Sequence, residues 1–332
     1  MEYLEFKKSK IKKYVLGNND NYGVFDFNAW LESRLNHNVF ISGISGSGKS
    51  VLMSHLIENS RNLNFIFNFK PHDVYLNLNL ADQVVFDLSK VYINPFLDFN
   101  AFLNAYLLAF KIQESGIMSS SIPSLLSRYF YNYDFESTFK AYNESFVSGI
   151  KENVLKNTAS VIVENLKLLF PNGFDSFYSF SFLSGNIIFD FSNLNEIQKT
   201  FFLELSLHLV WSYIYSSDSQ ASLFLDEVSR LLFLDISIFN DVVRQIRAFG
   251  SLFVSSQNLS DVPPALLNQF DSILSFRTFL KSDYDVIENY FLNANFPLSM
   301  KEMFYYLPLH SFFILQDWFD SDLRAFYYRV VL

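Results

Sequence analysis

Eight consecutive residues limit what this chain can fold into more than any other feature: Gly43-Ile44-Ser45-Gly46-Ser47-Gly48-Lys49-Ser50. A short apolar run, Asn38 to Ser42 (NVFIS), precedes them. Behind them, Lys49 to Asn59 carries Val51, Leu52, His55 and Leu56 at helical spacing. Strand, glycine-rich turn and helix in that order make a phosphate cradle. Glycines let backbone N–H groups turn inward, and the first amides of the helix lack intrahelical acceptors and carry the positive end of its dipole. The pattern G-x-x-x-x-G-K-[ST] gathers Gly43, Ser45, Gly46, Ser47, Gly48, Lys49, Ser50 and Val51 around a phosphate chain. Lys49 is expected to reach the β- and γ-phosphates and the Ser50 hydroxyl to bind Mg²⁺, so a nucleoside triphosphate, ATP or GTP, and Mg²⁺ are the anticipated ligands. Three of the ten glycines in the chain fall within the six residues from Gly43 to Gly48.

Composition narrows the class further. Of 332 residues, half are hydrophobic and 18% charged, which excludes a disordered chain. Forty Phe and nineteen Tyr supply an aromatic core, and the absence of Cys removes disulfides, thiol catalysis, Cys-based zinc sites and iron–sulfur clusters. The net charge of −9 argues against a surface that binds nucleic acid everywhere, while leaving room for a local basic channel. Lys7, Lys8, Lys10, Lys12 and Lys13 form one basic cluster, either a solvated arm or a phosphate contact. The five histidines, His37, His55, His72, His208 and His310, show no metal-ligand spacing and read as packing or surface residues. The most apolar helical segment, Phe201 to Tyr215, contains Glu204 and His208 and is too short to span a bilayer, so it reads as a helix buried against a sheet. With no apolar signal segment at the N-terminus, the expected location is cytoplasmic, without an integral membrane segment.

Buried-strand candidates follow at Asn64 to Phe69, Gln83 to Phe86, Asn186 to Phe191, Ser222 to Leu225, Ser251 to Ser255 and Ser272 to Phe276. Helical patterns lie between them, notably Asn195 to Tyr215 and Ile236 to Phe249, and further strands are expected at Phe312 to Leu315 and Ala325 to Leu332. Apolar strands alternating with helices predict an α/β fold with a mainly parallel sheet covered on both faces. Between about Asn100 and Phe170 the helical period takes over. The expected organisation is a β-like lead at 1–37, a core formed by 38–99 and 178–332, and a helical insertion at 100–177.

A second motif gains weight from the first. Leu223-Phe224-Leu225-Asp226-Glu227 is an apolar strand ending in two carboxylates. Any buried strand leaving the sheet can end so. Beside a phosphate loop, however, Asp226 suits the magnesium shell, and Glu227 suits a base that deprotonates water. Gln257, at the end of SLFVSSQ, can donate to a γ-phosphate and accept from water, or simply cap the next helix. Arg244 and Arg247, three apart, share a helix face and could serve a neighbouring subunit's phosphate or remain solvated.

In order, GISGSGKS, NFKPHD, INPF (Ile93 to Phe96), GNIIFDFS, LFLDEVSRLL, RQIRAFGSLFVSSQNLSDVP and SILSFR resemble the HerA/FtsK superfamily of P-loop ATPases, with its type IV secretion, conjugative coupling and viral genome-packaging branches. The resemblance spans about Asn38 to Phe276. It implies a RecA-like P-loop NTPase core, a homohexameric ring with nucleotide between subunits, and double-stranded DNA as the translocated partner. A protein-secretion or assembly role beside membrane machinery is the alternative. It also implies Asp226 as the Walker B acid, Glu227 as the catalytic base, Gln257 as the sensor and Arg247, then Arg244, as the trans-acting finger. One departure stands out: many relatives place an acidic residue at the end of the second core strand, where this chain has Asn68, with Asp73 as its substitute.

Overall fold

The computed structural model describes residues 38–60, 62–70, 74–78, 80, 82–90, 92–94, 96–112, 117–133, 138–171, 173, 177–178, 185–217, 220–227, 237–290, 300–305, 307, 311–316 and 325–329. The expected β-like lead, its lysine cluster, and Asp73, His37, His72 and His310 lie outside the described residues.

The strands are β1 (Asn38–Ser42), β2 (Leu63–Asn68), β3 (Gln83–Asp87), β4 (Tyr92–Ile93), β5 (Phe177–Tyr178), β6 (Asn186–Asp190), β7 (Ala221–Leu225), β8 (Gly250–Ser256), β9 (Ser272–Phe276), β10 (Ser311–Gln316) and β11 (Ala325–Arg329). Among the described residues the main sheet runs β11-β10-β9-β1-β8-β7-β2-β6-β3. The seven strands from β9 to β3 are parallel, and β10 and β11 close the sheet antiparallel. β1, β7, β8 and β9 are buried at every position, as expected of parallel strands covered on both faces. The small parallel pair β4–β5 has no counterpart in the sequence reading. Two residues per strand carry too little periodicity to register.

The helices are α1 (Lys49–Asn59), α2 (Phe99–Ala109), α3 (Ile117–Tyr131), α4 (Phe139–Ser148), α5 (Asn153–Leu169), α6 (Glu196–Ser217), α7 (Ser237–Gln245), α8 (Pro264–Leu267), α9 (Lys281–Tyr290) and α10 (Met300–Tyr305). Local chemistry sets their starts. The Asp98 carboxylate accepts from the amides of Asn100 and Ala101 ahead of α2. Before α6, Asn195 and Gln198 exchange side chain and backbone bonds at 2.9 and 3.2 Å, a reciprocal cap. α6 is buried along most of its length, as its composition predicts, and its polar His208 sits 3.1 Å from Glu204. Among the described residues no helix is long and apolar enough to cross a membrane.

The aromatic surplus goes into the core. Phe65, Phe67 and Phe86 pack their rings on Phe189, and Phe67 and Phe69 pack on Phe191, tying β2, β3 and β6 into one layer. Phe102 of α2 meets Phe201 of α6 edge-on at 5.8 Å. The helices expected as an insertion, α2 to α5, bury Phe102, Leu126, Ile162 and Leu166 in the same cluster as the sheet residues Phe65 and Phe189. They share the sheet's core.

Gly250 shows how tightly the layers close. A Cβ there would lie 1.7 Å from the carbonyl oxygen of Ala221, so β8 can begin beside β7 only with glycine.

Candidate nucleotide site

Parallel strands bring their C-terminal ends to one edge, and the order β1-β8-β7 brings three motifs together there. The turn after β1 holds Gly43, Gly46 and Gly48 at φ of 143°, 76° and 115°. At Gly43 a Cβ would also meet that of Phe276 at 2.5 Å, because the loop is pressed against the end of β9, where the Ile44 amide donates to the Arg277 carbonyl at 3.1 Å. Ser45 and Gly46 are exposed at the crest, while Ser47 is buried with no hydrogen-bond partner for its hydroxyl. The amides of Lys49, Ser50 and Val51 open α1 and have no acceptor one turn earlier in the helix. An orphaned hydroxyl and unpaired amides around one loop fit a polyanionic ligand.

Lys49 is buried, and its ammonium donates to the carbonyls of Gly43 and, at 3.1 Å, Ile44. Burial lowers its pKa to about 8, opposed by the nearby Asp226 carboxylate and assisted by the charge of Lys70.

Side chains alternate along a strand, so two successive carboxylates would ordinarily diverge. Glu227 breaks that alternation with a left-handed φ of 59°, a conformation uncommon outside glycine, and both acids remain at the sheet edge. Asp226 is buried, and a carboxylate is tolerated there because its lone pairs are bonded. Its Oδ1 accepts from the Ser255 hydroxyl and from the Glu227 amide at 3.0 Å. Its Oδ2 accepts from Tyr75 at 3.0 Å and from the Ser50 hydroxyl at 3.2 Å. Ser50 and Asp226 thus stand side by side at the cradle, and Mg²⁺ on the Ser50 oxygen would leave the Oδ2 site that Ser50 now fills open to a magnesium-bound water. That fits Mg²⁺, which is held by one or two protein oxygens plus phosphates and water.

Glu227 Oε1 accepts from Gln257 Nε2 at 2.9 Å and pairs with the Lys70 ammonium at 2.9 Å. Gln257 is thus at the same sheet edge, in contact with Glu227. Arg244 and Arg247 do not join this cluster. Both are exposed and precede β8, at the opposite end of a seven-residue strand of about 23 Å.

The sequence alone assigns no role to Lys70, Tyr75, Ser255 or Asp190, although Lys70 lies inside NFKPHD, Asp190 inside GNIIFDFS and Ser255 inside the stretch that ends in Gln257. Asn68 explains the departure noted there. Its amide donates to Asp190 and to the Lys70 carbonyl, both at 3.1 Å, and its oxygen accepts from the Lys70 amide at 3.3 Å. One donor group facing two acceptors, and one acceptor facing a donor, require an amide. The carboxylate at this corner sits one strand over, on β6.

Together these features define an α/β, RecA-like P-loop NTPase core. Solved structures of the conjugative coupling protein TrwB share its fold. The trigonal sulphate complex superposes with a TM-score of 0.59 at 15% identity, covering 97% of this chain and 91% of that one. The complex with the ATP analogue ADPNP gives 0.56 at 15% identity, over 98% and 92%. A genome-packaging NTPase, B204 of Sulfolobus turreted icosahedral virus 2, gives only 0.41 at 13% identity, over 90% and 100%. The profile of the nephrocystin 3 N-terminal family matches residues 24–79. No curated protein matches the sequence. What these likenesses share with the resemblance read from the motifs is the fold, a RecA-like P-loop core.

Proposed function

We propose that the chain is an ATP-hydrolysing ring motor of the HerA/FtsK type that translocates double-stranded DNA. The observation that carries the hydrolytic part is the meeting of Ser50, Asp226, Glu227 and Gln257 at the mouth of the phosphate loop. Lys49 and the loop amides bind the β- and γ-phosphates. Mg²⁺ held by Ser50 and Asp226 would neutralise charge on those phosphates. Glu227 takes a proton from water as the water oxygen bonds to the γ-phosphorus and the bond to the β–γ bridging oxygen breaks, giving ADP and phosphate. Gln257 orients the carboxylate and the water.

Arg247, or failing that Arg244, serves the neighbour's γ-phosphate in a homohexamer. That role asks the neighbouring subunit to present the opposite edge of its sheet to the nucleotide. The DNA part is supported by the coupling-protein fold and by Lys140, Lys156 and Lys167, which line one groove of about 440 Å³ between α4 and α5, together with Glu144 and Glu164. The alternative, an ATPase energising protein transport or assembly, is favoured by the net acidic charge. Phosphate release measured with and without a DNA duplex, at several salt concentrations, tests both parts. Stimulation by duplex supports the motor reading. Hydrolysis indifferent to DNA under every condition removes its DNA half, and no hydrolysis at all removes the whole.

A further inference from the structure

Lys70 follows β2 by two residues, and its ammonium stands between both acids: 2.9 Å from Glu227 Oε1 and 3.7 Å from Asp226 Oδ2. The same Glu227 oxygen accepts from Gln257, also at 2.9 Å. A carboxylate oxygen has two lone-pair sites. With an ammonium and an amide on them, that oxygen offers no site to water, and Glu227 can act as a general base through it only once one of the two partners has left. The Asp226 oxygen near Lys70 also accepts from Ser50, the residue after Lys49. The ammonium is therefore one carboxylate away from the group that meets the phosphates.

The backbone and side chain of Lys70 are held differently. Asn68 bonds both the carbonyl and the amide of Lys70 and is itself tied to Asp190. The side chain is 37% exposed, and its flexible four-carbon stem can swing about that fixed root. A γ-phosphate seated against Lys49 and Ser50 offers the ammonium three oxygens and more negative charge than a carboxylate, and is the stronger partner.

Resting on the hydrolytic reading above, we propose that Lys70 is a latch on the catalytic base that is opened by the γ-phosphate. It holds Glu227 by direct contact until a triphosphate enters, then moves its ammonium to the γ-phosphate. One displacement both recognises the triphosphate and opens that Glu227 oxygen to water. ADP has no group to draw the lysine away and leaves Glu227 held.

The test uses the full chain as wild type, Lys70→Met and Lys70→Arg, with folding checked by thermal melting. Affinities for Mg–ADP and for a non-hydrolysable Mg–ATP analogue are measured beside kcat and KM. In Lys70→Met, ADP affinity stays at the wild-type value, while preference for the triphosphate analogue falls about tenfold or more and kcat falls roughly 100-fold. Lys70→Arg restores most of the preference. A merely structural lysine would weaken both nucleotides alike, so an unchanged ratio of affinities overturns the latch. If wild type hydrolyses ATP and the Met variant matches it, the latch fails and the hydrolytic reading stands. If wild type hydrolyses nothing, both fail. Should the Met variant not fold, a wild-type structure with the analogue decides: the Lys70 nitrogen on a γ-phosphate oxygen supports the latch, and its retention on Glu227 refutes it.

Discussion

Asn68→Asp replaces one nitrogen by oxygen with almost no change of shape, so its effect isolates the hydrogen-bond logic of this corner. Asn68 is fully buried and Asp190 nearly so, and the amide nitrogen lies 3.1 Å from the carboxylate. After substitution the same spacing separates two carboxylates, and a third acceptor, the Lys70 carbonyl, loses its donor. At an effective dielectric of about 20, two unit charges this close repel by about 5 kcal/mol. The pair escapes part of that by sharing a proton, as adjacent carboxylates do. Adding the lost bonds, the expected cost is about 3 kcal/mol near neutral pH. The shared proton is bound in the folded protein and released on unfolding. In that range the folded state holds more protons, and its stability relative to wild type must rise as pH falls. Urea unfolding of wild type and variant at pH 7.5 and pH 5 reads both the deficit and its slope. A deficit below about 0.5 kcal/mol at pH 7.5, or one that grows on acidification, would refute this account of the corner, since surface substitutions alone produce changes of that size.

Four further outcomes are expected. Lys49→Ala should abolish phosphate release and weaken nucleotide binding, which titration calorimetry would show. Glu227→Gln should keep Mg–ADP affinity near wild type while single-turnover hydrolysis falls about 10²- to 10³-fold; an unchanged rate would remove Glu227 as the base. Gly250→Ala should destabilise by several kcal/mol, on the order of the largest single-residue effects, because the new methyl meets the Ala221 carbonyl at 1.7 Å; a melting temperature within 2 °C of wild type, a margin of roughly 1 kcal/mol or less, contradicts the packing. The lowered pKa of Lys49 has its own signature. Between about pH 8 and 10.5 the unfolded chain keeps the proton that the folded chain releases, so wild type should gain stability relative to Lys49→Met as pH rises through that window, by about 3 kcal/mol in all. Paired urea titrations at pH 7.5 and 10 measure it, and a flat difference rules it out.

The elements that one stretch of chain specifies by itself were legible in the sequence. β1 and β9 have the bounds read from their apolar runs, and the loop between β1 and α1 follows from three glycines and a lysine whose chemistry permits little else. Asp226, Glu227 and Gln257 were legible because parallel strands must deliver their ends to one edge, whatever their order. The order was not legible, and neither was anything that depends on it. Asn68 meets Asp190 only because β2 and β6 are neighbours in register, 122 positions apart in the chain. At the end of β2 the folded sheet sets an amide, Asn68, between the Asp190 carboxylate of the adjoining strand and the backbone of Lys70. The same reasoning covers Lys70 itself. A lysine after a strand is unremarkable in sequence, and its meaning arises from two carboxylates brought to it by β7, one of them through a left-handed turn at Glu227 that no local pattern announces. Residues that act through contacts across strands are therefore the ones that motif reading will miss in folds of this kind, and the ends of neighbouring strands are the place to look for them.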